Sequence, residues 1–277
     1  MTDKFTHGFE SRYGELPQFD SPDNDEVISG LLEHRCHRDF TQEPVANSVM
    51  QSLFAAAFSA PSKSDLQQAS VIRLTDSAIR KELVTANPAI QRLAKAPEFL
   101  IWCGDGRRIR LLTEERSKNF ANEHLDAFMN AAVDAGIVMQ NFIVAAESVG
   151  LGCCPVSQVR DNIFHLSKTL NLPRWVFPVA GLAVGWPAQP GKVSMRLPNR
   201  VTVHENQYDD TNMLADVNEY DARREASRPT VTDAQLHKDR YGVIENYGWS
   251  EHHSRQYSLP MRSDFGEYIR GQGFNLS

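Results

Sequence analysis

The segment His34-Arg35-Cys36-His37-Arg38-Asp39-Phe40 holds the densest chemistry in the chain. Arg35 and Arg38 put two guanidinium groups three residues apart, just past a helix-like run over residues 24–33. Arginine is a permanently charged planar fork that grips phosphate through two parallel N–H donors. A second basic element, Lys192 and Arg196, follows the apolar run ending at Gly185-Trp186-Pro187. Two such clusters could clamp one anionic ligand if the fold brings them together. A basic cluster at a helix end is more often a solvated face or a macrodipole partner, so spacing alone favours that reading over the clamp.

Other motifs exclude more than they propose. Gly150-Leu151-Gly152 follows a helix-like run rather than a strand, and Pro155 stands where a dinucleotide fingerprint needs its third glycine. No Walker loop exists, so side chains would have to hold any nucleotide-like phosphate. His204-Glu205 lacks the second histidine of a zinc protease, because Tyr208 fills its place. His252 and His253 are adjacent and diverge on any regular element. Cys153 and Cys154 read as small packing residues rather than a strained vicinal disulfide. No G-x-S-x-G elbow appears, and no metal site is expected.

The elements that must position these residues follow from periodicity. Residues 1–22 are polar, with two prolines and no helical period, which predicts a loosely attached arm. Ser21-Pro22-Asp23 opens a helix, and Val45, Met50, Leu53, Phe54 and Ala57 mark a second over 45–58. Ser59 to Ser64 is a small polar loop. Residues 69–74, 99–103 and 175–186 read as strands, with a helix over 77–85 between the first two. The longest element spans 123–149, and its apolar residues nearly encircle the axis. A helix apolar all round is buried, and a dimer interface is the expected cover. Asn130, Asp134, Gln140 and Glu147 interrupt it as a membrane span.

The 277 residues read as one domain, a core over 23–208 with extensions over 1–22 and 209–277. The net charge of −6 repels nucleic acid and anionic membranes, so neither is expected as a partner and any anion site must be local. Four cysteines without a framework spacing, and a polar start without an apolar leader segment, predict a reducing cytoplasm.

Several segments in order resemble the FMN-dependent nitroreductase family, in its oxygen-insensitive NADPH nitroreductase and NADPH–flavin oxidoreductase branch. They are HRCHRDFTQEP at 34–44, Ser62 to Leu74 with its LQ pair, Asp134 to Gly152, GLAVGWP at 181–187, Arg196-Leu197-Pro198 and His204-Glu205-Asn206. The match covers about residues 25–208 and fades after Tyr208, where Trp249-Ser250-Glu251-His252 remains. The resemblance implies an α+β three-layer sandwich with a central mixed sheet, and a homodimer built on the long helix with FMN at the interface. It implies that His34, Arg35 and Cys36 line the phosphate and ribityl end of FMN, that Arg196 closes the phosphate, and that Arg38 faces the flavin N1 and O2 edge. Ser62, Lys63 and Ser64 would come from the partner subunit, Gln91 would add a contact, and Pro155, Val156, Ser157 and Gln158 would lie along the ring. The 209–277 extension would wrap the partner or cover the active site.

This chain departs from the pattern in three places. Cys36 stands where the family usually has serine, Pro155, Ser157 and Gln158 replace an aromatic residue and a glycine pair, and Ser194 replaces a phosphate lysine, with Lys192 expected in its role. The implied activity is hydride transfer from NADPH or NADH to FMN, then two electrons to a nitroaromatic, quinone or free flavin by a ping-pong route. The alternative is a protein that buffers or delivers FMN without steady turnover.

Overall fold

The computed structural model describes residues 4–23 and 25–277. The chain forms two compact units, one from the chain up to His34 and from Val193–Met261, the other from Arg35–Lys192 and Arg262–Ser277. Of the arm expected over 1–22, residues 1–3 lie outside the described residues, as does Asn24 in the expected helix over 24–33.

The larger unit is built on four strands, β1 (Ala69–Arg73), β2 (Glu98–Asp105), β3 (Gly152–Val156) and β4 (Val176–Gly185), in the order β1-β2-β4-β3. Every residue of β2 is buried, as a central strand covered on both faces requires. Alternation along it feeds two layers. Leu100 and Trp102 face the helices Asn47–Phe58 and Leu125–Ser148, in a cluster with Met50, Leu53, Val138, Phe142, Leu182 and Val184. Phe99, Ile101 and Cys103 face the opposite layer, with Leu83, Ile90, Val159 and Leu166. The α+β class and the two helical layers agree with expectation. The mixed sheet does not, for all three pairings of the named strands are antiparallel. The parallel component is the isolated bridge Cys36–Cys153. An apolar run announces a strand but carries no direction.

The long helix runs Leu125–Ser148, and one stripe of it is buried by its own chain: Ala127, Ala131, Asp134, Ala135, Val138, Phe142, Ile143 and Ala146. Leu125, Met129 and Val133, four residues apart, remain 45–59% exposed. By length and composition this helix could cross a membrane, but it packs on the sheet with a carboxylate, Asp134, in its buried stripe.

In the other unit, Lys4–Tyr13 is a helix, unlike the arm expected there. Phe5 and Phe9 lie one turn apart and form a ring cluster with Phe19, with centroids 5.5–6.2 Å apart. The burial of Phe5 and Phe9 outweighs the polar composition. Helix Glu26–Leu32 follows. Met213–Ser227 packs with Trp249–Tyr257, Tyr220 meeting Trp249 edge-on at 5.7 Å. The last residues return to the larger unit, where Phe274 packs edge-on against Phe177 at 5.3 Å.

Candidate functional site

Within the larger unit, residues 35–41 run extended. Cys36 bridges Cys153, and the His37 N–H donates to the Cys153 carbonyl at 3.0 Å. Thr41 donates to the Trp186 carbonyl at 2.9 Å, and Ala188 to that of Asp39 at 3.0 Å. An extended chain sends successive side chains to opposite sides. Arg35 and His37 meet Gly191 (φ 72°), where an added Cβ would lie 3.2 Å from Arg35 Cδ and 3.0 Å from His37 Cε1. Arg35 Nη1 also donates to the Pro190 carbonyl at 3.4 Å. Cys36 instead shares a thiol hydrogen bond with Cys154. That bond, then burial, pushes the Cys154 thiol far up, and burial does the same to Cys153, so both stay protonated and neither is a nucleophile. Burial first, and Arg35 second, hold His37 below the usual histidine range.

Arg38 opens into a cavity of about 360 Å³ that it shares with Asp39, Gln42, Gln91, Arg92 and Lys95. The far wall follows from local pattern. Residues 88–96 form two short 3-10 turns whose Ile90, Leu93, Ala94 and Ala96 are buried. The polar residues between them, Gln91, Arg92 and Lys95, must therefore face out. Arg92 grips Asp39 bidentately, Nε to Oδ1 at 2.8 Å and Nη2 to Oδ2, which holds the Asp39 carboxyl below the usual range. Among the described residues, neither Arg38 nor Lys95 pairs with a carboxylate. The structure thus brings together two predicted residues, Arg38 and Gln91, and adds Gln42, Arg92 and Lys95. The spacing of apolar Ile90, Leu93, Ala94 and Ala96 in I-Q-R-L-A-K-A is the signal that could have found the last two.

The Ser62-Lys63-Ser64 loop is fixed by a buried carboxylate. Asp134 accepts hydrogen bonds from the Lys63 N–H at 3.1 Å and the Gln68 N–H at 3.0 Å. Ser62 Oγ accepts from the Gln67 N–H at 3.0 Å, and Ser64 and Gln67 sit in left-handed backbone at φ 51° and 50°. Lys63 Nζ lies 3.7 Å from Asp126. The sequence marks Asp134 only as an interruption in an apolar helix. At the end of β3, Pro155, Ser157 and Gln158 are exposed, while the Val156 side chain is buried in the core. Ser157 Oγ accepts from Arg262 Nη2 at 3.3 Å, and the Gln158 carbonyl from Asn87 Nδ2 at 2.6 Å. Lys192 is exposed.

In the smaller unit one buried arginine joins two distant pieces of chain. Arg12 donates to the carbonyls of Leu32 at 3.0 Å, of Ser194 at 2.7 Å and of His34. The Arg196 N–H returns a bond to the Arg12 carbonyl at 2.8 Å. Arg12 so ties the carbonyls of Leu32 and His34 to the irregular stretch carrying Ser194 and Arg196. Arg196 itself is exposed and lines a cavity of about 510 Å³ with Tyr13, Arg224, Trp249 and His253. Among the described residues, no three His, Cys, Asp or Glu side chains gather as a metal site.

Comparison with known proteins settles the ancestry. The nitroreductase family pattern matches residues 31–186, and that of the nitroreductase family C-terminal domain matches residues 194–277. The chain belongs to the nitroreductase family. An oxygen-insensitive NADPH nitroreductase of Salmonella typhimurium is 35% identical over 250 residues, covering 90% of this chain and 98% of that one. An FMN reductase [NAD(P)H] of Bacillus subtilis is 31% identical, covering 91% and 98%. The structure of the Vibrio harveyi NADPH:FMN oxidoreductase complexed with NAD+ superposes with a TM-score of 0.76 at 31% identity, covering 89% and 97%. For this nitroreductase-family chain the likeness reaches Ser277, well past Tyr208, where the motifs fade.

Proposed function

We propose that the protein is an FMN-dependent NAD(P)H oxidoreductase that reduces small-molecule acceptors, nitroaromatics, quinones or free flavins, by a ping-pong route. The observation that carries this reading is the cavity where Arg38, without a carboxylate partner among the described residues, opens beside Gln91. A fixed cation and an amide on one wall are the donors that the N1 and O2 edge of a flavin requires. His34, Arg35, Cys36, Arg196 and Lys192 would hold the phosphate and ribityl end, with Pro155, Val156, Ser157 and Gln158 along the ring and the Ser62–Ser64 loop supplied by the partner subunit. The close approach of Gly191 to Arg35 supports the Arg35 part of that placement.

When bound, FMN supplies the redox chemistry, accepting hydride from the nicotinamide and passing two electrons to the acceptor. The protein's own part is to bind, orient and tune. Arg38 favours negative charge at the edge it faces, and Asp134 holds the Ser62–Ser64 loop in a single conformation. The chain acts as a homodimer in the cytoplasm, and the exposed stripe Leu125, Met129 and Val133 is the surface that supports pairing.

A flavin-fluorescence titration tests the site. FMN binds the wild type at one per chain, and Arg35→Ala and Arg196→Ala each weaken it roughly tenfold to a hundredfold, the loss of about one charge-assisted contact. Unchanged affinity in both variants contradicts the proposed phosphate site.

A further inference from the structure

The lining of the Arg38 cavity carries two cations, Arg92 and Lys95, that the proposed flavin contacts do not use. Arg38, Arg92 and Lys95 face the cavity, against one carboxylate, Asp39, in a chain whose net charge is −6. Arg92 is already oriented by its bidentate bond to Asp39. Lys95 has no carboxylate partner among the described residues. Both are carried by the tight turns whose apolar residues are buried, so their backbone is fixed while their heads reach the cavity. Gln42 and Gln91 add neutral hydrogen-bonding groups on the same wall. A local positive field in a net-negative protein attracts anions of the right size and repels few of the protein's own groups. The volume without bound flavin, about 360 Å³, lies in the range of small-ligand sites.

From this we infer that the acceptor pocket selects anionic aromatic molecules: electron acceptors whose carboxylate or sulfonate rests against Lys95 and Arg92 while the ring lies toward Arg38. The inference rests on the flavin oxidoreductase reading and names its acceptor class. The charge pairing is partly exposed, so its worth is modest and sensitive to salt.

The test compares 4-nitrobenzoate with its neutral analogue 4-nitrobenzamide on FMN-loaded protein, by calorimetric affinity and by kcat/KM with NADPH. Wild type prefers the acid at low ionic strength, and added KCl narrows the gap. Lys95→Gln and Arg92→Gln each cut the acid-to-amide preference by about threefold, and the double variant by about tenfold. Lys95→Arg keeps it. Circular dichroism checks that the variants fold. Equal affinity for acid and amide in wild type, or an unchanged preference in the double variant, overturns the inference. So does a double variant that raises the KM for NADPH while the acid preference stands, since the cations would then serve the donor. The calorimetric arm needs no turnover. A protein that prefers the acid yet is not reduced by NADPH fails as an oxidoreductase while keeping the anion pocket, whereas one that is reduced but indifferent to charge loses the pocket alone.

Discussion

Arg38 and His37 are neighbours with opposite electrostatic fates. Arg38 is exposed and charged at any working pH. At the proposed flavin N1 and O2 edge it would stabilise the reduced form over the oxidised one. Arg38→Gln should retain FMN better than Arg35→Ala but lower its two-electron potential by about 30 mV, the equivalent of roughly 1.4 kcal/mol. A redox titration that returns the wild-type potential would leave Arg38 a solvated surface charge. His37 is packed against Gly152 and Gly191, and burial together with Arg35 disfavours its charged form. A depressed histidine stabilises the fold above its unfolded pKa of about 6.5, and that contribution is lost as pH falls through the lowered folded value. Thermal melts should therefore show Tm falling below about pH 6.5, and His37→Gln should flatten that fall. An identical pH profile in the variant would exclude His37 as the cause.

At the scale of elements, the long helix buries one stripe in its own chain and leaves Leu125, Met129 and Val133 exposed. Phe142 and Val138 belong to the core of their own chain, not to an interface, as an all-round apolar helix first suggests. Phe142→Ala should cost about 3–5 kcal/mol through cavity formation, read from a denaturant midpoint. Asp134→Ala should cost about 3 kcal/mol, since two loop N–H groups lose a charged acceptor. It should also open the loop to trypsin at Lys63, and a loop as resistant as wild type would refute the tether. The helix's existence and ends were legible because its apolar period is long, predicted over 123–149 and found over Leu125–Ser148. Which stripe its own chain covers was not legible, because a helix apolar on every side carries no label for its neighbour. The tethers were hidden for a related reason. Asp134 acts on Lys63 from 71 residues away, and Arg12 on Ser194 from 182, so no local window contains both partners. Within a window, as at 90–96, the apolar spacing of Ile90, Leu93, Ala94 and Ala96 alone indicates that Gln91, Arg92 and Lys95 face out.

For the whole molecule, the family was legible from ordered motifs, each weak alone, while its C-terminal part was not, because little of 209–277 keeps a recognisable motif although the family match runs to Ser277. The proposed dimer would form on what the helix leaves bare, Leu125, Met129 and Val133. Met129→Glu with Val133→Glu should abolish dimers, seen as halved mass in light scattering, with far less loss of stability than Phe142→Ala. A variant still dimeric would place the interface elsewhere. In the proposed reaction electrons enter through a bound flavin and leave to a separate acceptor. Anaerobic stopped-flow absorbance of the FMN-loaded protein tests it most directly. Mixing with NADPH alone should bleach the oxidised flavin band in a single turnover, and a second mixing with 4-nitrobenzoate should restore it. A flavin band that NADPH leaves unchanged, at FMN saturation and with NADH failing as well, would contradict the account.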